Sequence, residues 1–225
     1  MSGQPPLFEE QPTGPGLGLT LIRGAVGSAA ADAAFAALRT KVTWHQDHLK
    51  MFGKLIPVPR LEAWVADEGL DYTYSGIHHD PDPWIDELVE LRDLSSSHTG
   101  TRFNSVLCNL YRDGSDGVDW HADDEPEFGQ MPVIASLSLG ATRRFDLRRV
   151  DDHSIKVELE LHHGDLVIMS GTTQTLWRHR VPKTKKPVGE RINLTFRTVT
   201  PKAEARSSTA VRGASTKSAG DSASF

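Results

Sequence analysis

The chain has 225 residues, of which 38% are hydrophobic and 24% charged, with a formal net charge of −5. That suits one ordinary globular domain with tails and excludes a disordered or fibrous chain. A single cysteine, Cys108, excludes an internal disulfide and a cysteine-built zinc cluster; no run nears the roughly 18 apolar residues of a membrane span, and the opening MSGQPPLFEEQPTGPG lacks the basic start and apolar run of a secretory leader.

Residues 1–18 are rich in Pro and Gly and read as a flexible lead-in. LTLIRGAV (19–26) reads as a strand. Ser28 is placed to cap a helix over 29–41 that carries Phe35, Leu38 and Val42 on one side. Residues 43–58 are β-like and break at Phe52-Gly53-Lys54, a hairpin signal. Asp82-Pro83 opens a second helix with Trp84, Leu88 and Leu91 facing inward.

From residue 103 the pattern changes to short strands: FNSVLCNLY, VIASLSLG, RRFDLRRV, IKVELEL, LVIMS and RINLTFRTV. In IKVELEL, Ile155, Val157, Leu159 and Leu161 face one way and the charged residues the other. Many short strands after two helices give an α+β class with a sandwich or barrel core. Residues 201–225, rich in Ala, Ser, Thr and charge, are expected to be disordered.

Segment 178–191 holds six Lys or Arg against one Glu, and 112–127 is strongly acidic. Two solvated loops of opposite sign, or a basic rim beside a metal centre, both fit. Within the acidic segment, His121-Ala-Asp123 puts two ligand-type side chains on one side of an extended backbone, and His179 follows in another strand or loop. Two histidines and a carboxylate form the facial triad of non-haem iron(II) oxygenases, which leaves coordination sites open. Alone the pattern is weak, since chance pairs are common. In Arg191-Ile-Asn193-Leu-Thr-Phe-Arg197, however, Arg, Asn, Thr and Arg share one strand face. That face either lies in water or supplies the forked donors that a dicarboxylate needs. Asn109 and Tyr111 share a face as well and can donate to carboxylate oxygens.

Asn109-Leu-Tyr111-Arg-Asp-Gly, His121-Ala-Asp123-Asp-Glu125, His179 and Arg191-Ile-Asn193-Leu-Thr-Phe-Arg197, in that order, resemble the AlkB family of dealkylating oxygenases, closest to the subgroup that includes the human double-strand DNA repair homologue. The resemblance runs over about residues 43–199. It implies a double-stranded β-helix, or jelly roll, at about 103–199 and a nucleotide-recognition lid at about 43–76, within one domain over 19–200. By resemblance, His121, Asp123 and His179 bind iron(II) and form the catalytic centre. Tyr111 and Arg191 hold the distal carboxylate of 2-oxoglutarate. Asn109 and Arg197 attend the iron-chelating end, with Asn193 in the same pocket.

PRLEAWVADEGLDYTYSG resembles the lesion-reading lid. There Tyr74 and His121 sandwich a flipped base, Tyr72 and Ser75 shape its pocket, and Glu125 lies near its exocyclic nitrogen. Such a pocket suits a cationic, methylated adenine or cytosine. The plain alternative for Tyr72 and Tyr74 is packing on a half-buried strand. Met51-Phe52-Gly53-Lys54 resembles a finger hairpin whose Phe52 enters the base stack, unless it packs back on its own domain.

The implied activity is iron(II)- and 2-oxoglutarate-dependent demethylation of DNA, duplex or single-stranded, consuming O2 and releasing formaldehyde and succinate. Alternatives are a same-class oxygenase acting on RNA or protein, a non-catalytic nucleic-acid binding module, and a zinc hydrolase. A cytoplasmic protein without membrane attachment is expected, working at the nucleoid if bacterial and nuclear if eukaryotic, and a monomer.

Overall fold

A computed structural model describes residues 8–51, 53–70, 72–74, 77–79 and 81–200. In chain order, β1 (Phe8–Glu10) and β2 (Gly18–Arg23) precede helix α1 (Ser28–Lys41). Then come β3 (His48–Met51), β4 (Lys54–Pro57), β5 (Leu61–Ala66), β6 (Tyr72–Tyr74), β7 (Ile77–His79) and helix α2 (Asp86–Thr99). The strand-rich half holds β8 (Ser105–Tyr111), β9 (Val118–His121), β10 (Ile134–Gly140), β11 (Arg143–Arg149), β12 (Lys156–Leu161) and β13 (Leu166–Ser170). One short helix, α3 (Thr173–Leu176), separates these from β14 (Trp177–Val181) and β15 (Arg191–Arg197).

A seven-stranded sheet in the order β1-β2-β13-β10-β15-β8-β5 faces a four-stranded sheet in the order β12-β11-β14-β9, and every pairing is antiparallel. Non-consecutive neighbours in two facing antiparallel sheets make a jelly roll. Between the sheets, Leu19, Leu21, Ile134, Val167 and Met169 meet Phe145, Leu147, Leu161, Trp177 and Val181. The outer face of the larger sheet is covered by α1 and α2, where Ala31, Leu38, Leu88 and Leu91 pack on Val106, Cys108, Leu110, Leu137, Leu139 and Leu194. Truncating Leu38 or Leu88 there would cost about 2–5 kcal/mol.

Helix α1 forms because eight of its residues are alanine or leucine on a period that buries Ala31, Ala34 and Leu38, with Arg39 and Lys41 in the last turn opposing the helix dipole. Its N-cap is Gly27 rather than Ser28, and no side chain caps it. Helix α2 starts at Asp86, later than Asp82-Pro83 predicts. Asp82 is instead drawn into a parallel bridge, its N–H donating to Trp64 O at 2.8 Å. Gly100, at φ 67°, closes α2 with its N–H on Ser96 O.

The lead-in is not free through residue 18. β1 pairs with β2, and the Arg149 and Trp177 side chains both donate to Pro15 O. Gly14 lies so close to the Trp177 ring that a Cβ there would sit 2.6 Å from it, which explains how a Gly-Pro stretch is held down. The larger sheet also begins upstream of residue 103. β5, expected within the lid, pairs along its length with β8 and gives that strand a partner on its second side. The hairpin expected over 43–58 forms as β3 and β4, with Leu55 71% and Ile56 44% exposed. Phe52, Ser75 and residues 201–225 lie outside the described residues.

Candidate active site

β15 decides the character of the interior. All seven of its residues are buried, so its polar face lies inside the jelly roll rather than in water. Ile192, Leu194 and Phe196 point to the helix-covered face, while Arg191, Asn193, Thr195 and Arg197 point between the sheets. Its neighbours bring matching polar rows: Arg191 pairs with Tyr111, and Asn193 with Asn109 on one side and Ser138 on the other.

Across the interior, β9 and β14 carry the histidines. His121 and His179 are direct partners in that pairing, with ring centroids 4.2 Å apart. Asp123, just beyond β9, is 3% exposed. The ligand atoms of His121, Asp123 and His179 all lie within 4.8 Å of one another, the geometry a single metal ion needs.

His121 Nδ1 lies 2.8 Å from Asp119 O; a carbonyl only accepts, so Nδ1 carries the proton and Nε2 keeps its lone pair. That Nε2 faces Asp123 Oδ1 at 3.8 Å. Asp123 Oδ2 accepts from Arg197 Nη2 at 2.8 Å and Nε at 3.3 Å, which leaves Oδ1 available to a metal. The Asp123 N–H donates to Gln174 Oε1 at 3.0 Å, so α3 anchors the ligand loop.

Burial pushes the His179 pKa down to about 3, with His121 adding to the shift, and burial lowers that of His121. Both imidazoles are therefore neutral ligand forms. Burial works against the Asp123 carboxylate, but Arg197 and the two imidazoles outweigh it and hold its pKa well below the usual range. Two neutral nitrogens and one anionic oxygen suit a divalent cation.

A cavity of about 40 Å³ opens on the triad, with Leu107, Val118, Phe145 and Met169 as its apolar walls and Asn109, Tyr111, Asn193 and Arg197 among its polar ones. Arg191 lies behind this lining, fully buried, its guanidinium 5.2 Å from the Tyr111 ring centroid. Burial lowers its pKa to about 10. Its Nη2 donates to Ser138 Oγ at 2.8 Å and Asn193 Oδ1 at 2.6 Å, while Nε and Nη1 meet no hydrogen-bond geometry with a partner among the described residues. A buried cation with two unsatisfied donors is what an incoming carboxylate would complete. The donor set therefore fits both iron(II) and a dicarboxylate.

Glu125 is partly buried at the start of a 3-10 turn over Pro126–Phe128 and does not line the cavity. Tyr72 and Tyr74 are in β6, paired with β7. Sequence reading missed Arg60 and Glu62, both buried beside Asn109, as well as Ser138 and Gln174. Two charges at the head of an apolar strand were a signal for the first pair; nothing local marked Gln174. The acidic segment is not simply solvated, because Asp116 is buried with Asp123. Lys183, Lys185 and Lys186 of the basic segment are exposed.

A model of the 2OG-Fe(II) oxygenase superfamily matches residues 18–197. The DNA oxidative demethylase ALKBH2 of Homo sapiens is 42% identical over 183 residues, 77% of this chain and 70% of that protein. The chain belongs to the AlkB family of this superfamily. The alkB homolog 3 protein of Bos taurus, named an alpha-ketoglutarate-dependent dioxygenase, is 45% identical over 190 residues, 80% of this chain and 66% of that protein. The human alkB homolog 3 is 49% identical over 152 residues, 64% of this chain and 52% of the relative. This AlkB-family chain thus spans about half to two thirds of the length of the alkB homolog 3 relatives. A solved structure titled "The structure of OsALKBH1" superposes with a TM-score of 0.60 at 20% identity, covering 84% of this chain and all of that one, and shares the fold. No described helix is long and apolar enough to cross a membrane.

Proposed function

We propose that this protein is an iron(II)- and 2-oxoglutarate-dependent oxidative demethylase of alkylated DNA. The observation that carries the reading is the convergence of His121, Asp123 and His179 within 4.8 Å, beside a buried Arg191 with two unsatisfied donors. His121 Nε2, Asp123 Oδ1 and His179 hold the metal. Arg191 and Tyr111 take the distal carboxylate of 2-oxoglutarate; Asn109 and Arg197, with Asn193, attend the other end. When bound, iron(II) would use O2 and 2-oxoglutarate to hydroxylate the N-methyl carbon, the cosubstrate being converted to succinate and CO2 and the hydroxylated carbon leaving as formaldehyde to restore the base.

The residues around the centre hold it dry and oriented. Arg197 occupies one oxygen of Asp123 and directs the other inward, and Phe145 and Met169 exclude water. Within the segment at about 43–76, the parts outside β5, which belongs to the core sheet, serve as the lid over the core. In it Tyr74 stacks on the flipped base opposite His121, Tyr72 and Ser75 shape the pocket, and Glu125 approaches from the core. A cationic, methylated adenine or cytosine suits such an aromatic and acidic pocket. DNA is favoured as substrate because the ALKBH2 relatives are named DNA oxidative demethylases. Phe52, next to Gly53 in the sequence, is the residue that would fill the gap left in a duplex.

The test is formaldehyde release from methylated single-stranded DNA, duplex DNA, RNA and peptide, with and without iron(II) and 2-oxoglutarate. Release from DNA that needs both, and is abolished in Asp123→Ala, is expected. Release only from RNA or peptide would move the substrate. Binding of DNA without any release would make the chain a binding module.

A further inference from the structure

Arg60 stands immediately before β5 and is 5% exposed. Its Nε donates to Asn109 Oδ1 at 2.7 Å and to Glu62 Oε1 at 2.9 Å, and its Nη2 donates to the same Glu62 oxygen at 2.6 Å. Glu62 is 4% exposed and directly opposes Asn109 across the β5–β8 pairing. Taking both charges out of water is costly, and an apolar pair of similar size commonly packs as stably. Stability therefore does not account for this pair. What an apolar pair cannot do is orient an amide.

An asparagine amide has two orientations related by a flip, one presenting oxygen and the other N–H donors. With Oδ1 held by Arg60, Nδ2 of Asn109 is turned away from the guanidinium, and no hydrogen bond to another described residue uses it. Asn109 lines the cavity next to the triad. Its partner across β8 and β15, Asn193, is held the same way: its Oδ1 accepts from Arg191 Nη2 at 2.6 Å, and its Nδ2 donates to Thr195 Oγ1 at 3.0 Å. Two facing asparagines thus each have their carbonyl oxygen fixed by a buried arginine, and only that of Asn109 keeps its amino group for a ligand.

We propose that Arg60 is a positioning residue: with Glu62 as its counter-ion, it locks the Asn109 amide so that N–H donors face the cavity and receive a carboxylate of 2-oxoglutarate. This rests on the reading of the cavity as the 2-oxoglutarate site. Arg60 also lines the cavity, but its Nε and Nη2 are engaged by Asn109 and Glu62, so its part is to hold Asn109, and the double and triple variants below separate this from direct contact with the carboxylate.

The experiment is anaerobic titration of 2-oxoglutarate into the iron(II)-loaded protein, read by the visible absorption band of the chelate, with melting temperature and iron(II) affinity measured on each variant. Asn109→Ala should weaken 2-oxoglutarate binding roughly tenfold, as loss of a hydrogen bond to a charged group does. The double variant Arg60→Met/Glu62→Met, which strands no charge, should weaken it as much, and adding Asn109→Ala should weaken it no further. Arg60→Lys keeps the charge but not the planar fork, and should also weaken it. Iron(II) affinity should not change in any of them.

Full affinity in the double variant, with weak binding in Asn109→Ala, overturns the inference and leaves the site reading standing. Unchanged affinity in Asn109→Ala overturns the site reading itself. Wild-type affinity in Arg60→Lys overturns positioning in favour of simple charge attraction. Should the double variant melt well below wild type, Asn109→Asp decides: it still accepts from Arg60 but presents oxygen to the cavity. It must bind 2-oxoglutarate more weakly than Asn109→Ala; equal or tighter binding overturns the proposal.

Discussion

Arg197 Nη2 reaches from the end of β15 to within 2.8 Å of Asp123 Oδ2, and both side chains are buried. A carboxylate so placed depends on that guanidinium until a metal arrives. Arg197→Leu should therefore destabilise the metal-free protein by about 3–5 kcal/mol, the usual cost of stranding one partner of a buried ion pair. Urea unfolding measures it. Added iron(II), excluding oxygen, should recover part of the loss, because the ion binds only the folded site. Matching midpoints in the metal-free wild type and variant would show that the pair contributes nothing.

Arg191 is the buried cation with donors to spare. Arg191→Lys keeps a positive charge but loses the fork and the bond geometry to Ser138 and Asn193. The expected result is a KM for 2-oxoglutarate raised about tenfold or more, with the KM for oligonucleotide little changed. An unaltered 2-oxoglutarate requirement would reduce Arg191 to a structural residue.

Acid should weaken the fold through Asp116 and Asp146, both buried against arginines. Burial raises each carboxyl pKa, but Arg112 at Asp116, and Arg144 with Arg180 at Asp146, outweigh it and depress both. A folded pKa below the unfolded value of about 3.9 means the native state binds fewer protons. The stabilisation is complete above the unfolded value and is lost as pH falls through the depressed folded values. In thermal melts between pH 7 and pH 2, Asp146→Asn should flatten the acid limb. An acid limb as steep as that of wild type would place the sensitivity elsewhere.

Phe52 stands beside Gly53, whose φ of 78° makes the hairpin turn. Extracting a base costs a few kcal/mol from a duplex and far less from a single strand. Phe52→Ala should therefore impair turnover on duplex DNA selectively and leave the melting temperature near that of wild type. Equal losses on both substrates, with a large drop in melting temperature, would make Phe52 a packing residue.

The strand periodicity of RINLTFR already separated Arg191, Asn193, Thr195 and Arg197 from Ile192, Leu194 and Phe196. It could not say which face met water. That depended on α1 and α2 covering one side and the smaller sheet the other, so that both faces are buried. Likewise, Pro and Gly in the first 18 residues signalled a loop, but the contact that pins it comes from Trp177 and Arg149, far along the chain.

The amino-acid sequence by itself determined the ligand types, their spacing in His121-Ala-Asp123, the forked cations of the last strand and an α+β class with a sandwich or barrel core, the jelly roll being what the family resemblance added. These are properties of residue chemistry and of a two-residue repeat, and both are local. Only the tertiary structure decided that His179 pairs with His121, that Arg197 holds Asp123, and that Arg60 meets Asn109. Those contacts join residues distant in sequence. Antiparallel register and sheet order set them, and neither is written in the pattern of any one strand.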